Sequence, residues 1–401
     1  MRRFVLVLVF GLAAAALDPF SENAAVGPDG ALISALAAAP SAPLAVPSTP
    51  VAAPSSSVAA PAAAIAAATS PVLTPTAYPS ASAALPSGAL PLDGNRILAF
   101  YGKPGAKSMG ILGEYPKEEV ANLLLGYAKL YADALVAKTD AQAPTLAIAS
   151  GTQAANQGNP SAQPVAASMP DASTAPEISP DASPAPTTPP GPASGVIPAF
   201  YIVYGACWPG GDIGYLRDSV VREWIDYAAS QGILVFLDHQ IGRFGVDEAM
   251  KRLLPWLVYP NVQLALDPEW RTENPMRQIG SISADELNQA QSMMSDYLHA
   301  QGLEGDRILV VHQFTDKMIV DRGKVRADWP GVTLIHTSDG FGSPSLKRNA
   351  YAWNAKAKNM PLKGLKLFFK SDVPGAGFDD PLLTPEQVLD LVPPPELIIY
   401  Q

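Results

Sequence analysis

The stretch VQLALDPEW (residues 262–270) begins with six residues typical of a buried strand and ends with two carboxylates. Seven other apolar runs resemble it, and segments with helical patterns separate most of them. The eight runs are residues 96–100, 197–204, 233–239, 262–267, 307–313, 332–338, 365–370 and 396–400. Short strands that alternate with helices favour parallel β-α-β units. Eight of them in about 250 residues predict an α/β fold of the TIM-like (β/α)8 barrel type.

A doubly wound open sheet is the alternative to the barrel. Such sheets often have a glycine-rich first turn of the form GxGxxG, and YGKPGAKSMGILGEY (residues 101–115) after the first strand lacks it. The sequence stops at Gln401, directly after the eighth strand, so we expect the eighth helix to be missing. The run TLAIAS (145–150) could be a ninth strand or part of an insert.

The composition divides the chain into three parts. Residues 1–20 have two arginines before a short apolar run, the pattern of a secretory signal peptide. Residues 21–91 and an insert at 141–195 are rich in Ala, Pro and Ser, and such tracts bury too little apolar surface to fold. We therefore expect a disordered stalk at 21–91 and a barrel domain at 92–401 that carries a disordered insert. The predicted location is outside the cell or in the cell envelope.

Charge and cysteine content exclude several classes of protein. The net charge of −10 has the wrong sign for binding nucleic acid. The single cysteine, Cys207, excludes an intramolecular disulfide and argues against a thiolate metal site. We expect a monomer without a cofactor, in contact with a membrane only if the N-terminal signal stays uncleaved.

Polar residues follow the predicted strands at their carboxyl ends, where the active sites of barrels lie. Carboxylates there are candidates for acid–base catalysis, and the other polar or aromatic residues are candidates for substrate binding. The catalytic candidates are Asp238, Asp267, Glu269 and Asp339. The substrate-binding candidates are Tyr101, Trp208, His239, Trp270, His312, Gln313, His336 and Lys370. The glycine-rich stretch GACWPGGDIGY (205–215) is predicted to be a mobile loop over the barrel mouth.

The alternation of side chains along the fourth strand predicts where its carboxylates point. Gln263, Ala265 and Asp267 share one face, whereas the aliphatic residues between them suit the helix layer. Asp267 and Glu269 should therefore point into the barrel mouth. Two close carboxylates repel when both are ionised, so one of them keeps its proton to higher pH. A protonated acid beside a charged partner is what glycosidic bond cleavage requires.

The Asp-x-Glu pair at the end of this strand resembles the motif of glycoside hydrolase families 18 and 25, the chitinase-like and lysozyme-like barrels. The resemblance implies that Glu269 protonates the leaving oxygen and that Asp267 orients or stabilises the N-acetyl group of the sugar. The longer Asp-rich run of family 18 is absent, since Leu264, Ala265 and Leu266 precede Asp267. FYGKPGAKSMGILGEY, LALDPEW and VVHQF together resemble a set of secreted bacterial barrels that have no assigned function.

Three hypotheses of function remain open. The first is a secreted glycoside hydrolase that acts on a cell-envelope or extracellular polysaccharide. In the second, Asp238, His239, His312, His336, Asp339 and Glu269 supply ligands for zinc or manganese in a metal-dependent hydrolase, although no HxH or HExxH spacing supports it. In the third, the barrel binds wall polysaccharide without cleaving it. Asp267 and Glu269 could also simply cap the following loop or pair with Arg271.

Overall fold

The computed structural model describes residue 92 and residues 95–142 and 195–401. Eight parallel strands form a closed β-barrel, with helices between them, which confirms the predicted (β/α)8 fold. The strands are β1 (Arg96–Gly102), β2 (Val196–Cys207), β3 (Leu234–His239), β4 (Val262–Leu266), β5 (Arg307–Gln313), β6 (Val332–Ser338), β7 (Leu362–Leu367) and β8 (Leu397–Tyr400). β1 closes the barrel because it pairs in parallel with both β2 and β8.

Helices fill most of the connections between the barrel strands. They are α1 (Ile111–Glu114), α2 (Lys117–Gln142), α3 (Asp218–Ser230), α4 (Val246–Leu253), α5 (Ala284–Ala300), α6 (Pro344–Ala355) and α7 (Pro385–Leu389). α5 begins with a capping box: the Ser283 side chain accepts from the Glu286 backbone N–H, and the Glu286 side chain accepts from the Ser283 backbone N–H. The connection from β5 to β6 differs, since it contains only short 3-10 turns and a two-residue strand.

The strand alternation separates two apolar layers. Residues such as Ala199, Phe236 and Val310 face the barrel interior and pack with one another. Their neighbours in sequence, such as Phe200, Val235 and Val311, pack against the helices. The predicted alternation of β4 is confirmed as far as these layers test it, because Ala265 belongs to the interior layer and Leu264 and Leu266 to the helix-facing layer. Interior positions near the carboxyl ends of the strands therefore point toward the mouth.

The position predicted for the seventh strand is wrong by three residues. The run LKLFFK (365–370) was expected to form it, but β7 is LKGLKL and ends at Leu367. Gly364 explains the difference, because it pairs with Thr337 of β6 and a Cβ atom there would lie 2.3 Å from Thr337 Oγ1. A glycine inside a strand weakens the sequence signal but allows this close approach. Lys366, and not Lys370, is thus the lysine near the end of β7.

α2 is the one helix within the described ranges that is long and apolar enough to cross a membrane, over Lys117–Asp140. Its buried residues Val120, Leu124, Ala128 and Tyr131 recur at helical spacing and pack in the layer between barrel and helices. This packing against the strands is typical of a helix in the outer layer of a (β/α)8 barrel. The predicted signal peptide and stalk, the TLAIAS run and residues 143–194 of the predicted insert lie outside the described residues.

Candidate active site at the barrel mouth

A layer of polar side chains lies above the apolar interior, at the carboxyl ends of the barrel strands. Successive strands contribute interior positions to it, and all of these side chains are buried. The layer contains Tyr101 from β1, Tyr201 from β2, Asp238 from β3, Asp267 after β4, His312 from β5, Asp339 after β6 and Lys366 from β7. Buried ionisable groups cost free energy unless they are paired or neutral, so their concentration here indicates a functional site.

His312 stands at the centre of a hydrogen-bonded chain. Its Nε2 lies 2.6 Å from the Tyr201 hydroxyl, and its Nδ1 lies 3.0 Å from Asp339 Oδ2. Burial raises the pKa of Tyr201 well above its ordinary value, so the phenol keeps its proton and shares a hydrogen bond with Nε2. The ionised Asp339 accepts a hydrogen bond from Nδ1–H, which fixes the orientation of the imidazole.

Lys366 is the cation that the carboxyl groups of the site share. Its Nζ lies 3.5 Å from Asp339 Oδ2 and 3.8 Å from the centre of the Tyr101 ring. Burial alone would raise the pKa of Asp339, but Lys366 and the hydrogen bond from His312 hold it below its ordinary value of 3.8. Asp339 is therefore the ionised carboxylate, and its charge is balanced by Lys366.

Asp238 and Asp267 differ from Asp339 because burial dominates their titration. Burial raises the pKa of Asp238 to about 7, against the opposing effects of Lys366 and of the hydrogen bond from Tyr101, 3.2 Å long. Burial also raises the pKa of Asp267 to about 7, and the neighbouring Asp238 adds to the rise. The Oδ1 atom of Asp238 has no hydrogen-bond partner among the described residues. Near neutral pH, the two groups are thus poised to gain or lose protons.

Glu269 occupies the rim of the mouth. Asp267 accepts a hydrogen bond from the Glu269 backbone N–H at 3.2 Å and so caps a 3-10 turn, Pro268–Trp270. The capping role considered for Asp267 is therefore present, although it occupies only Oδ1. The Glu269 side chain is partly exposed, and its carboxyl makes no hydrogen bond to a described residue. Burial among the other carboxyls, and next the charge of Asp267, raise its pKa well above the ordinary value.

A second buried ion pair supports the site from the side of the helix layer. Lys347 of α6 donates to the carbonyl oxygens of Gly340 and Lys366, so it ties the chain after Asp339 to the end of β7. Its ammonium lies 3.6 Å from Asp379, which in turn accepts from the backbone N–H of Phe368 at 2.9 Å. These contacts hold Asp339 and Lys366 in register with each other.

Three predicted site residues point away from the mouth, because they occupy helix-facing positions of their strands. His239 Nδ1 accepts from the Ile241 N–H at 2.8 Å, its Nε2 lies 3.1 Å from the Tyr215 hydroxyl, and burial lowers its pKa to about 3. His336 Nε2 lies 2.8 Å from Gln313 Oε1, and Lys363 Nζ lies 3.3 Å from His336 Nδ1. The structure does not bring His239, Gln313 and His336 to the carboxyl cluster.

The remaining candidates lie around the rim or outside it. Lys370 is exposed three residues beyond β7, with its ammonium 5.7 Å from the Phe378 ring. Trp208 is 42% exposed on the loop after β2, and Trp270 lines a pocket beside Glu269. Arg271, considered as a partner of the two carboxylates, instead binds Glu286 at 2.7 Å. The structure thus groups Tyr101, His312 and the four predicted catalytic carboxyls.

Sequence reasoning missed Tyr201 and Lys366. Alternation along β2, counted from Ala199, would have placed Tyr201 in the interior. Among residues 95–142 and 195–401, no three His, Cys, Asp or Glu side chains are arranged to hold one metal ion. What the cluster can do is hold protons on carboxyl groups at neutral pH beside one ionised carboxylate.

Comparison with known proteins gives weak likenesses. No family model matches the sequence, and no curated protein matches it. Three of the solved structures to which this chain is similar are oxaloacetate acetylhydrolase in complex with oxalate, a family 18 chitinase from Crocus vernus, and Sph3 of Aspergillus clavatus in complex with GalNAc. Their identities are 12%, 11% and 10%, and their TM-scores are 0.35, 0.32 and 0.29. The matches cover 50%, 51% and 51% of this chain and 67%, 82% and 78% of the others.

These structural neighbours include the glycoside hydrolase family that the Asp-x-Glu motif resembles. Because every TM-score lies below 0.5, the likeness carries no argument on activity. The functional argument below rests on the side chains of the barrel mouth.

Proposed function

We propose that this protein is a secreted glycoside hydrolase that cleaves a cell-envelope or extracellular polysaccharide, with Glu269 as the general acid. One observation carries the proposal. The Glu269 carboxyl is partly exposed at the rim, makes no hydrogen bond to a described residue, and has a pKa raised by burial and by Asp267. A raised pKa favours the protonated carboxyl, which is the form that can donate a proton to a bound substrate.

The rest of the cluster supplies the charge that glycosidic cleavage needs. As Glu269 protonates the leaving oxygen and the C–O bond breaks, positive charge develops on the sugar ring. Asp339 stays ionised, and Asp238 and Asp267 titrate near pH 7, so carboxylate charge is present in the mouth to stabilise that ring. The location is also proposed, from the N-terminal signal pattern and the Ala/Pro/Ser-rich tract that follows it.

The test is turnover of polysaccharides by matched variants. Wild type, Glu269→Gln and Glu273→Gln are incubated with a panel of wall and capsule glycans, and new reducing ends are counted. Glu273 is exposed in the same loop, so its change to Gln controls for the substitution itself. We expect Glu269→Gln to lose at least ~10² in rate and Glu273→Gln to match wild type.

Two other outcomes would contradict the hydrolase. Glycan binding without turnover in wild type would indicate a non-catalytic binding barrel. Turnover that Glu269→Gln leaves intact would remove the general acid from its proposed role.

A further inference from the structure

A pocket of about 320 Å³ opens beside Glu269 on the rim of the barrel. Its walls come from the turn after β4, from the loop that follows it, and from the turn after β5. The lining residues are Glu269, Trp270, Met276, Arg277, Gln278, Ile279 and Lys317. Because Glu269 belongs to both places, a chain with one sugar over the carboxyl cluster would place a neighbouring sugar in this pocket.

The loop that forms the pocket is tied to the turn of the proposed acid. The Gly280 N–H donates to the Glu269 carbonyl oxygen at 2.6 Å, which closes the loop at its base. A Cβ atom on Gly280 would lie 2.5 Å from the Arg271 carbonyl oxygen, so only glycine fits there. Arg271 itself donates to the Ser281 carbonyl at 3.1 Å and pairs with Glu286. These contacts fix the position of the pocket-forming loop relative to the turn that carries Glu269.

The charges of the pocket select for an anion. Arg277 and Lys317 are exposed, come from different loops, and form no ion pair with a residue that the structure describes. Glu269 is the single acidic residue of the lining, and burial raises its pKa well above the ordinary value, which disfavours its charged form. Two cations therefore converge on one pocket in a protein whose overall charge is −10.

The apolar residues of the lining suit a sugar ring. Trp270, Met276 and Ile279 present apolar surface, and Ile279 is 38% exposed although large hydrophobic residues are usually covered. Met276 has a φ of 70°, a left-handed conformation that costs free energy for any residue other than glycine. Such strain is often found in loops that contact a ligand.

We propose that this pocket binds a sugar residue that carries a carboxylate, so that the substrate is an acidic glycan. The proposal rests on the proposed function, since it deepens the specificity of the same site. Arg277 and Lys317 bind the carboxylate, while Trp270, Met276 and Ile279 contact the apolar face of the ring. The carboxylate could belong to a uronic acid or to a lactyl ether on an amino sugar, and the experiment separates these sources.

The experiment measures binding by calorimetry at low salt, in a Glu269→Gln background that prevents turnover. The acidic ligands are tetramers of glucuronate, galacturonate and mannuronate and a disaccharide of N-acetylglucosamine and N-acetylmuramic acid. The neutral counterparts are the carboxyl-reduced tetramers and a disaccharide of N-acetylglucosamine alone, which lacks the lactyl ether. The test variant adds Arg277→Met and Lys317→Met. The control adds Lys356→Met and Lys358→Met, two exposed lysines that follow α6 at the opposite end of the barrel.

We expect at least one acidic ligand to bind about tenfold or more tightly than its neutral counterpart, because two exposed charge contacts each contribute a small factor. The test variant should lose that preference and the control should keep it. Preference for the uronates assigns a uronic acid, and preference for the disaccharide assigns the lactyl ether. Equal binding of acidic and neutral ligands, retention of the preference by the test variant, or no binding of any acidic ligand would overturn the proposal.

The outcomes also separate this proposal from the proposed function. If wild type hydrolyses neutral glycans with no preference for acidic ones, the pocket proposal fails and the hydrolase stands. If acidic glycans bind through Arg277 and Lys317 but wild type never cleaves them, the pocket stands and the hydrolase fails.

Discussion

Asp238→Asn should stabilise the protein at pH 8 and have a much smaller effect at pH 5. The Asp238 side chain is fully buried, and burial raises its pKa to about 7 from an ordinary value of 3.8. Between these two values, the folded protein holds a proton that the unfolded chain has released. Wild-type stability therefore falls as pH rises through this window and is level above it. Asparagine has the same shape and does not titrate.

The expected size follows from the pKa. From pH 5 to pH 7 the wild type loses ~1.4 kcal/mol for each pH unit, or about 3 kcal/mol, a cost that the variant avoids. Because Asp267 titrates beside Asp238, it takes over part of the effect, and we expect a difference of at least ~1.4 kcal/mol.

Urea unfolding of both proteins at pH 5 and pH 8 measures the difference. Asp226→Asn is the control, since Asp226 is exposed on α3. If Asp238→Asn changes stability equally at the two pH values, or destabilises more at pH 8, Asp238 does not titrate as a buried acid and the electrostatic account of the site is wrong.

Three other substitutions test the fold around the site. Lys366→Met leaves Asp339 buried without its cation and should cost about 3 kcal/mol of unfolding free energy, measured in urea. Gly364→Ala should lower the free energy of unfolding by about 1–3 kcal/mol, because the added Cβ atom meets Thr337 Oγ1. Adding Thr337→Ala should recover part of this loss, and no recovery would refute the proposed contact. Ser283→Ala removes the capping box of α5 and should lower the free energy of unfolding by about 1 kcal/mol, whereas an unchanged value would mean that the cap contributes nothing.

Much of the architecture could be predicted because the barrel repeats one simple signal. Each strand except β7 appears in the sequence as a compact apolar run, and the structure places Asp238, Asp267 and Asp339, which lie at strand ends, in the barrel mouth. β7 failed because Gly364 interrupts its pattern, while Phe368 and Phe369 extend an apolar run into the following loop. Close approach to β6 requires a glycine at position 364. A contact of this kind, between strands that are distant in sequence, produces no pattern in the local sequence.

Histidines were harder to place than carboxylates. His312 and His336 both lie near strand ends, yet one faces the mouth and the other the helix layer. Counting alternate residues from Val310 and Ile335 would have separated them, since adjacent strand residues point to opposite sides. The environment of Glu269 could not be predicted, because it lies within a 3-10 turn in which strand alternation no longer applies.

The central claim is that Glu269 donates a proton to the leaving oxygen, and dependence on the leaving group tests it most directly. Once a cleaved glycan is known, kcat/KM of wild type and Glu269→Gln is measured on that glycan and on the matching dinitrophenyl glycoside, whose leaving group needs no proton. A general acid predicts that the variant loses at least ~10² on the glycan and far less on the dinitrophenyl glycoside. An equal loss on both substrates would contradict the claim, because a residue that only shapes the site affects both leaving groups alike.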